Sequence, residues 1–485
     1  MNSLLNWRIC SGVVLLAWAA ILSAQTVSPA GGQLAITEEQ AIALFYQRNL
    51  ALIAARLNIN TAEAEQIIAA AIPNPVFSFA VSELAPKAFA PQSRGLAVPA
   101  LLPKIDQLIV TAGKRRLQIE SSELATEAVN FDVQDVVRVL TNEVRRSFYT
   151  LLLAQKTIKV VNDNLEHYRE ILRVNEIRLR VGDVAAMDFM RIEVESLKVQ
   201  SDLDQAQAAL NQARADLLLL LGWPENSMEI SVVEAWPEAA PEIAMIRQDE
   251  LVQRALDRRP DMRAARVRIA QARKMLTLAQ RQVIPDVTIS AWYDQDQGNQ
   301  FPRTGGFSVS MPIPLFYQQK GEISKARVGV TTSELALAQA EQGVRAEVMK
   351  ASSSWLSTDN IARRFETSVV KRIETLRKSQ ELAYQKGAIG VLDLIDAERS
   401  YKAIMLDYYT ALANRSKAWA DLLMAYGEET RSLPRNRPGR DDELAGSSPA
   451  AIPRQTDRVS HRSMIRMPAS GLESGLKGAV STPDR

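Results

Sequence analysis

Arg178-Leu179-Arg180-Val181-Gly182-Asp183-Val184-Ala185-Ala186-Met187-Asp188 has a counterpart in Ala383-Tyr384-Gln385-Lys386-Gly387-Ala388-Ile389-Gly390-Val391-Leu392-Asp393. The offset, taken from Gly182 to Gly387, is 205. It holds without a gap from Glu176–Gly222 to Glu381–Gly427, so that Glu193 meets Glu398, Asp202 meets Asp407 and Ala206 meets Ala411. A duplication this long fixes the architecture before any local signal is weighed. Each copy reads as the tip of a helical hairpin. A long helix stops at a Gly, and a few residues later an Asp suits the positive end of the next helix. Gly222 and Gly427 close the outgoing helices, and Pro224 confirms the first stop.

Working outward, a helix of about 66 residues, or ~100 Å, enters each tip from Gly113-Lys114-Arg115-Arg116 or from Gln318-Gln319-Lys320-Gly321-Glu322. Its apolar seam is legible. Ala154, Ile158, Val161, Leu165, Tyr168, Leu172, Asn175 and Leu179 step by four and three. The outgoing helix continues with Ile192, Ser196, Val199, Leu203, Ala206, Leu210, Ala213, Leu217 and Leu220. The second copy keeps that phase, with Arg415 as its exception. A sustained 3.5-residue repeat means coiled-coil packing.

Upstream of each long helix the period changes to two. Val76–Ser82 and Val287–Tyr293 alternate as strands do, each after a proline break at Pro73/Pro75 or Pro285. Return strands are expected near Gln107–Ala112 and Gly306–Met311, with loops over 83–104 and 294–304 between. Two isolated hairpins make no stable sheet, so these need each other or further copies of the chain.

Composition narrows the function. The net charge of +2 supplies no basic field for nucleic acid. The lone Cys10 and two histidines, His167 and His461, leave no material for thiol chemistry, a triad or a zinc site. No enzyme activity, cofactor or metal site is expected. Residues 1–24 read as a secretory signal, with Arg8 before an apolar run from Val13 to Leu22 and a cut after Ala24. Cys10 stands ahead of that run, so no lipid anchor is expected. No later stretch has ~18 apolar residues in a row, so a membrane role would fall to the strands. The expected layout is a signal over 1–24, a first repeat over 25–222, a connector over 223–245, a second repeat over 246–430 and a disordered tail over 431–485.

With these features in place, residues ~37–428 resemble the TolC-like outer-membrane efflux proteins. Gly113-Lys114-Arg115 and Val309-Ser310-Met311-Pro312-Ile313-Pro314-Leu315-Phe316 look most like the heavy-metal (CzcC/CusC-type) branch. The resemblance implies a mainly α fold with a small β part. Duplicated helical hairpins would form a trimeric α-barrel, and four strands per chain would enter one shared transmembrane β-barrel. It implies an exit duct in the outer membrane of a Gram-negative bacterium. Its partners would be a periplasmic adaptor and an inner-membrane pump of the resistance-nodulation-division type, passing metal cations or drugs. The competing readings are an outlet for secreted polypeptides and, in another class, a periplasmic coiled-coil scaffold or adaptor without a channel.

The resemblance also assigns residues. Asp393 and Asp396 match inward-facing aspartates at the periplasmic aperture. Tyr384, with Asp188 as its partner, matches a link that ties the tips shut; Ile389 stands where some members place a second gate residue, an arginine. Arg178, Val181, Gly182, Asp183, Gly387 and Ala388 would form the rim that meets the adaptor.

Overall fold

The computed structural model describes residues 34–82, 100–223, 230–237, 246–294 and 303–427. The expected signal, the tail over 431–485 and most of the two expected strand-connecting loops lie outside these residues.

A short strand, β1 (Leu34–Ile36), precedes a capping box at Thr37. Its Oγ1 accepts from Gln40 N while Gln40 Oε1 accepts from Thr37 N at 3.0 Å, and α1 (Glu38–Arg48) begins. Asn49 ends α1 and caps α2 (Leu50–Ala70), its Oδ1 accepting from Leu52 N at 2.8 Å. Pro73 and Pro75 then forbid helix, and β2 (Val76–Ser82) and β3 (Ala100–Ile109) follow. The first long helix, α3 (Lys114–Arg180), is 67 residues without interruption, and α4 (Ala186–Leu220) returns beside it. Within the connector, β4 (Ile230–Val232) pairs in parallel with β1.

The second half repeats the plan with α5 (Gln248–Arg258), α6 (Pro260–Arg281), β5 (Val287–Asp294) and β6 (Thr304–Ser310). Its long helix is α7 (Lys320–Arg364), one π turn (Phe365–Val369) and α8 (Val370–Gln385), and α9 (Val391–Tyr426) returns. The helices lie side by side in the order α2-α3-α6-α7 next to the strands. Toward the tips the order is α4-α3-α9, with α7 and then α8 beyond. Among the described residues no helix is long and apolar enough to cross a membrane.

The strands form one antiparallel meander, β2-β3-β5-β6, in which the outer strands β2 and β6 each have one partner among the described residues. Register sorts the side chains into two faces. Phe77 lies opposite Ile105, Ile105 opposite Ala291 and Ala291 opposite Phe307, while Ile289 lies opposite Val309. That face is apolar and exposed, Phe307 by 86% and Val309 by 70%. On the other face Ser78 meets Lys104, Asp106 meets Ser290 and Ser290 meets Ser308. Lys104 pairs with Asp106 at 2.8 Å, and Ser290 Oγ donates to the same carboxylate at 2.5 Å.

The first return strand differs from the expectation near Gln107–Ala112. It starts at Ala100 and runs through Pro103, which lies beyond the last β3–β5 pair at Lys104 and Trp292. Only the β2 ladder could need its missing N–H, so proline is tolerated. The strand stops at Ile109 because Ala112 (φ 56°) and Gly113 (φ 69°) turn left-handed to start α3. The second return strand is Thr304–Ser310, close to the expected Gly306–Met311.

Candidate functional site

The two tips are built alike. At the end of α3, Gly182 N donates to Leu179 O at 3.1 Å and Asp183 N to Arg178 O at 2.9 Å. At the end of α8, Gly387 N donates to Tyr384 O at 2.9 Å and Ala388 N to Ala383 O at 2.8 Å. Both are Schellman closures around a left-handed glycine, at φ +80° and +69°. Val181, Asp183, Gly387 and Ala388 are exposed. Arg178 is not a free rim charge. Its guanidinium lies 5.3 Å from the Tyr384 ring centroid and reaches Asp183 at 3.8 Å, joining the two tips.

Tyr384 is buried in an apolar cluster with Leu165, Tyr168, Ile171, Ile192, Leu394 and Ile395, drawn from both halves. Ile389 packs against this cluster. The Tyr384 hydroxyl donates to Asn175 Oδ1, and Asn175 Nδ2 donates to Ile171 O at 2.8 Å. Asn175 is wholly buried. Asp188, the partner expected from sequence, lies in the first turn of α4 and pairs with Arg191 at 3.3 Å. The difference is one of burial. The Tyr384 ring faces the core, so its hydroxyl meets the buried Asn175, while Asp188 stands on an exposed face.

Asp393 and Asp396 share one exposed side of α9, because Val391, Leu394, Ile395, Ala397 and Glu398 fill the buried side. Asp393 Oδ2 accepts from Gly390 N at 3.2 Å, closing the start of α9. Asp396 keeps 73% of its side chain exposed, with Arg399 at 3.5 Å.

Next along α9 lies a polar layer that sequence reading did not find. Glu398 is fully buried between α3, α8 and α9. Its Oε1 meets Arg377 Nε at 2.9 Å and His167 Nε2 at 3.1 Å, and Asn164 Nδ2 donates to Oε2 at 3.4 Å. Arg377 also lies 4.3 Å from the Tyr401 ring centroid. Beside this group Arg399 binds the buried Glu195 at 2.5 Å and Lys402 binds Asp202 at 2.6 Å, tying α9 to α4. The hydrogen bond from Arg399 holds the Glu195 carboxyl below the usual range. The only signal in the sequence was the duplicated glutamate, Glu193 and Glu398.

This arrangement has exposed acids, buried latches and a two-faced sheet. The chain matches the outer membrane efflux protein family over residues 41–223 and 251–428, and it belongs to that family. The family consists of channel proteins, which transport and are not enzymes. Among curated relatives, the cobalt-zinc-cadmium resistance protein CzcC of Cupriavidus metallidurans is 22% identical, covering 79% of this chain and 88% of its own. Nodulation protein T of Rhizobium leguminosarum bv. trifolii is 23% identical, covering 65% and 68%. A crystal structure of CusC superposes with a TM-score of 0.66 at 18% identity, over 83% of this chain and 95% of that one.

Proposed function

We propose that this chain is the outer-membrane exit duct of a three-part efflux system, passively conducting what an inner-membrane pump expels through a periplasmic adaptor. The carrying observation is the four-stranded sheet with one apolar exposed face, one polar face and two free edges. In lipid an open edge leaves backbone groups unpaired, and closure with further copies removes it.

The free helices support closure as a homotrimer. Exposed apolar side chains recur on the outer helices of the row. They are Leu50, Leu57, Ile67 and Ile68 on α2, Met190, Val194 and Leu197 on α4, Val328, Leu335 and Leu356 on α7, and Leu376 and Leu382 on α8. One edge of one copy fits the opposite edge of the next, a head-to-tail contact that closes into a ring. The barrel would sit in the outer membrane of a Gram-negative cell, reached through the signal over 1–24.

In a trimer Asp393 and Asp396 would make two acidic rings that favour cations. Tyr384 on Asn175, rather than on Asp188, would hold the tips together. Val181, Gly182, Asp183, Gly387 and Ala388, with Arg178 behind them, would form the adaptor rim, and a pump of the resistance-nodulation-division type completes the path. Metal cations are the favoured cargo, in keeping with the name of the relative CzcC. Single-channel conductance in planar bilayers tests the reading. We expect a low, cation-preferring conductance that loses its preference in Asp393→Asn/Asp396→Asn. A protein that never enters the bilayer refutes the duct, and an unchanged preference refutes the rings.

A further inference from the structure

Alternation along the strands puts Trp292 on the polar face of the sheet. It lies opposite Lys104 on β3 and opposite Gly306 on β6. The other aromatics of the sheet, Phe77, Phe79, Tyr293 and Phe307, fall on the apolar face. Trp292 is therefore the one aromatic on the polar face among the described strand residues. Its ring is seated on bare backbone. A Cβ at Gly306 would come 2.8 Å from Trp292 Cζ2, 3.0 Å from Cε2 and 3.3 Å from Nε1, so the indole lies flat over the glycine. Trp292 remains 37% exposed, which a ring with one side covered by β6 owes to its other side. The charges beside the ring are uneven. Lys104 pairs with Asp106, which also accepts from Ser290. Asp294 falls on the same face, two residues beyond Trp292. One lysine against two aspartates leaves this face acidic among the described strand residues.

We propose that Trp292, seated on Gly306 and flanked by Asp294 and the Lys104–Asp106 pair, is a binding step for planar organic cations in the lumen of the barrel. The proposal rests on the exit-duct reading, in which the polar face lines the path. The face of an indole carries the negative part of its quadrupole and attracts cations, more strongly than Tyr or Phe does. A flat solute also stacks on it, and stacking accepts varied solutes because it reads only a π-face. The ring, the glycine and the charges stand on strands joined by a continuous ladder, so the platform is formed before any solute arrives. Binding of this kind is weak, so it holds a solute briefly and lets it leave, as a conducting path requires. A hydrated metal ion gains little from an apolar ring. The step would therefore act on organic cargo, apart from the carboxylates Asp393 and Asp396 at the tips.

The test is single-channel block of the full-length protein in planar bilayers. The probes are ethidium, a planar aromatic cation, and N-methyl-D-glucamine, a cation without a ring. Ethidium should block the parent channel at a concentration at least about fivefold lower than N-methyl-D-glucamine does. Trp292→Leu should raise the half-blocking ethidium concentration about fivefold, the ~1 kcal/mol of a half-exposed cation–π contact, and move the glucamine value less than about twofold. Gly306→Ala keeps the ring but lifts it from β6, and it should weaken ethidium block in the same direction. Trp292→Phe keeps a ring and should stay within about twofold of the parent. The effect of Trp292→Leu should persist in an Asp393→Asn/Asp396→Asn background, which separates this site from the tips. Equal block of the parent by the two cations overturns the site, and that result needs no variant to assemble. Ethidium block that Trp292→Leu leaves unchanged, or that vanishes with the tip carboxylates, overturns it as well. Failure of the duct itself shows separately, as absent conductance in the parent protein before any blocker is added.

Discussion

Tyr384→Phe removes one oxygen and leaves the ring in place, so it isolates the bond to Asn175. The Asn175 side chain is wholly buried and its Oδ1 accepts from the Tyr384 hydroxyl, so the variant leaves that carbonyl without this donor. An orphaned buried acceptor costs about 1–3 kcal/mol. The Arg178 guanidinium keeps its place over the ring, so the loss is confined to the hydroxyl. If the bond exists only while α8 lies against α3, this cost falls on the closed state alone. At ~1.4 kcal/mol per factor of ten, the open-to-closed ratio should rise about tenfold. Single-channel open probability measures it directly. Asp188→Ala is the paired control, because its contact with Arg191 is between half-exposed groups and is worth about 0.5 kcal/mol. It should leave opening unchanged. An open probability within twofold of the parent for Tyr384→Phe, or a larger effect from Asp188→Ala, refutes the latch as placed.

Two glycines should behave very differently on replacement by alanine. A Cβ at Gly222 would sit 2.4 Å from the Arg48 carbonyl oxygen, whereas Gly387 has open space around it. Thermal melts should show a severe loss for Gly222→Ala and about 1 kcal/mol for Gly387→Ala, the cost of a left-handed backbone alone. Glu398→Ala removes the buried carboxylate that the partly exposed Arg377 and His167 meet and should lower stability by about 1–3 kcal/mol, read by denaturant unfolding of the assembled protein. Glu195 has a depressed carboxyl, so its contribution is complete above the ordinary value of 4.5 and is lost as pH falls through the lower folded value. Acid melts of Arg399→Gln should therefore fall less steeply below pH 4.5 than those of the parent. On the proposed closure, Leu335→Glu on α7 should leave monomers in size-exclusion chromatography, since it charges an exposed edge that a second copy would cover.

What the sequence made legible was periodic or duplicated. The tips at Gly182 and Gly387, the strands Val76–Ser82 and Val287–Asp294 and the long helices follow from patterns that repeat. What it hid was pairwise. Nothing local says that Tyr384 meets Asn175, 209 positions away, or that Arg399 meets Glu195, because these contacts depend on how α3, α4, α8 and α9 pack. The exception visible in the seam, Arg415, marks a polar contact that crosses between helices, donating to Glu366 at 3.1 Å.

The free edges of the sheet have a consequence for how the protein's stability must be counted. If the sheet closes with further copies as proposed, a chain whose outermost strands, β2 and β6, each have one partner among the described residues does not satisfy its own backbone. Its folding free energy then includes an association step and depends on how many copies are present. Dilution acts on such a protein as a denaturant does. Before assembly each chain carries two adhesive borders and an apolar sheet face. On the proposed closure, every newly made copy would have to find its neighbours, or be shielded, faster than it finds an unrelated strand.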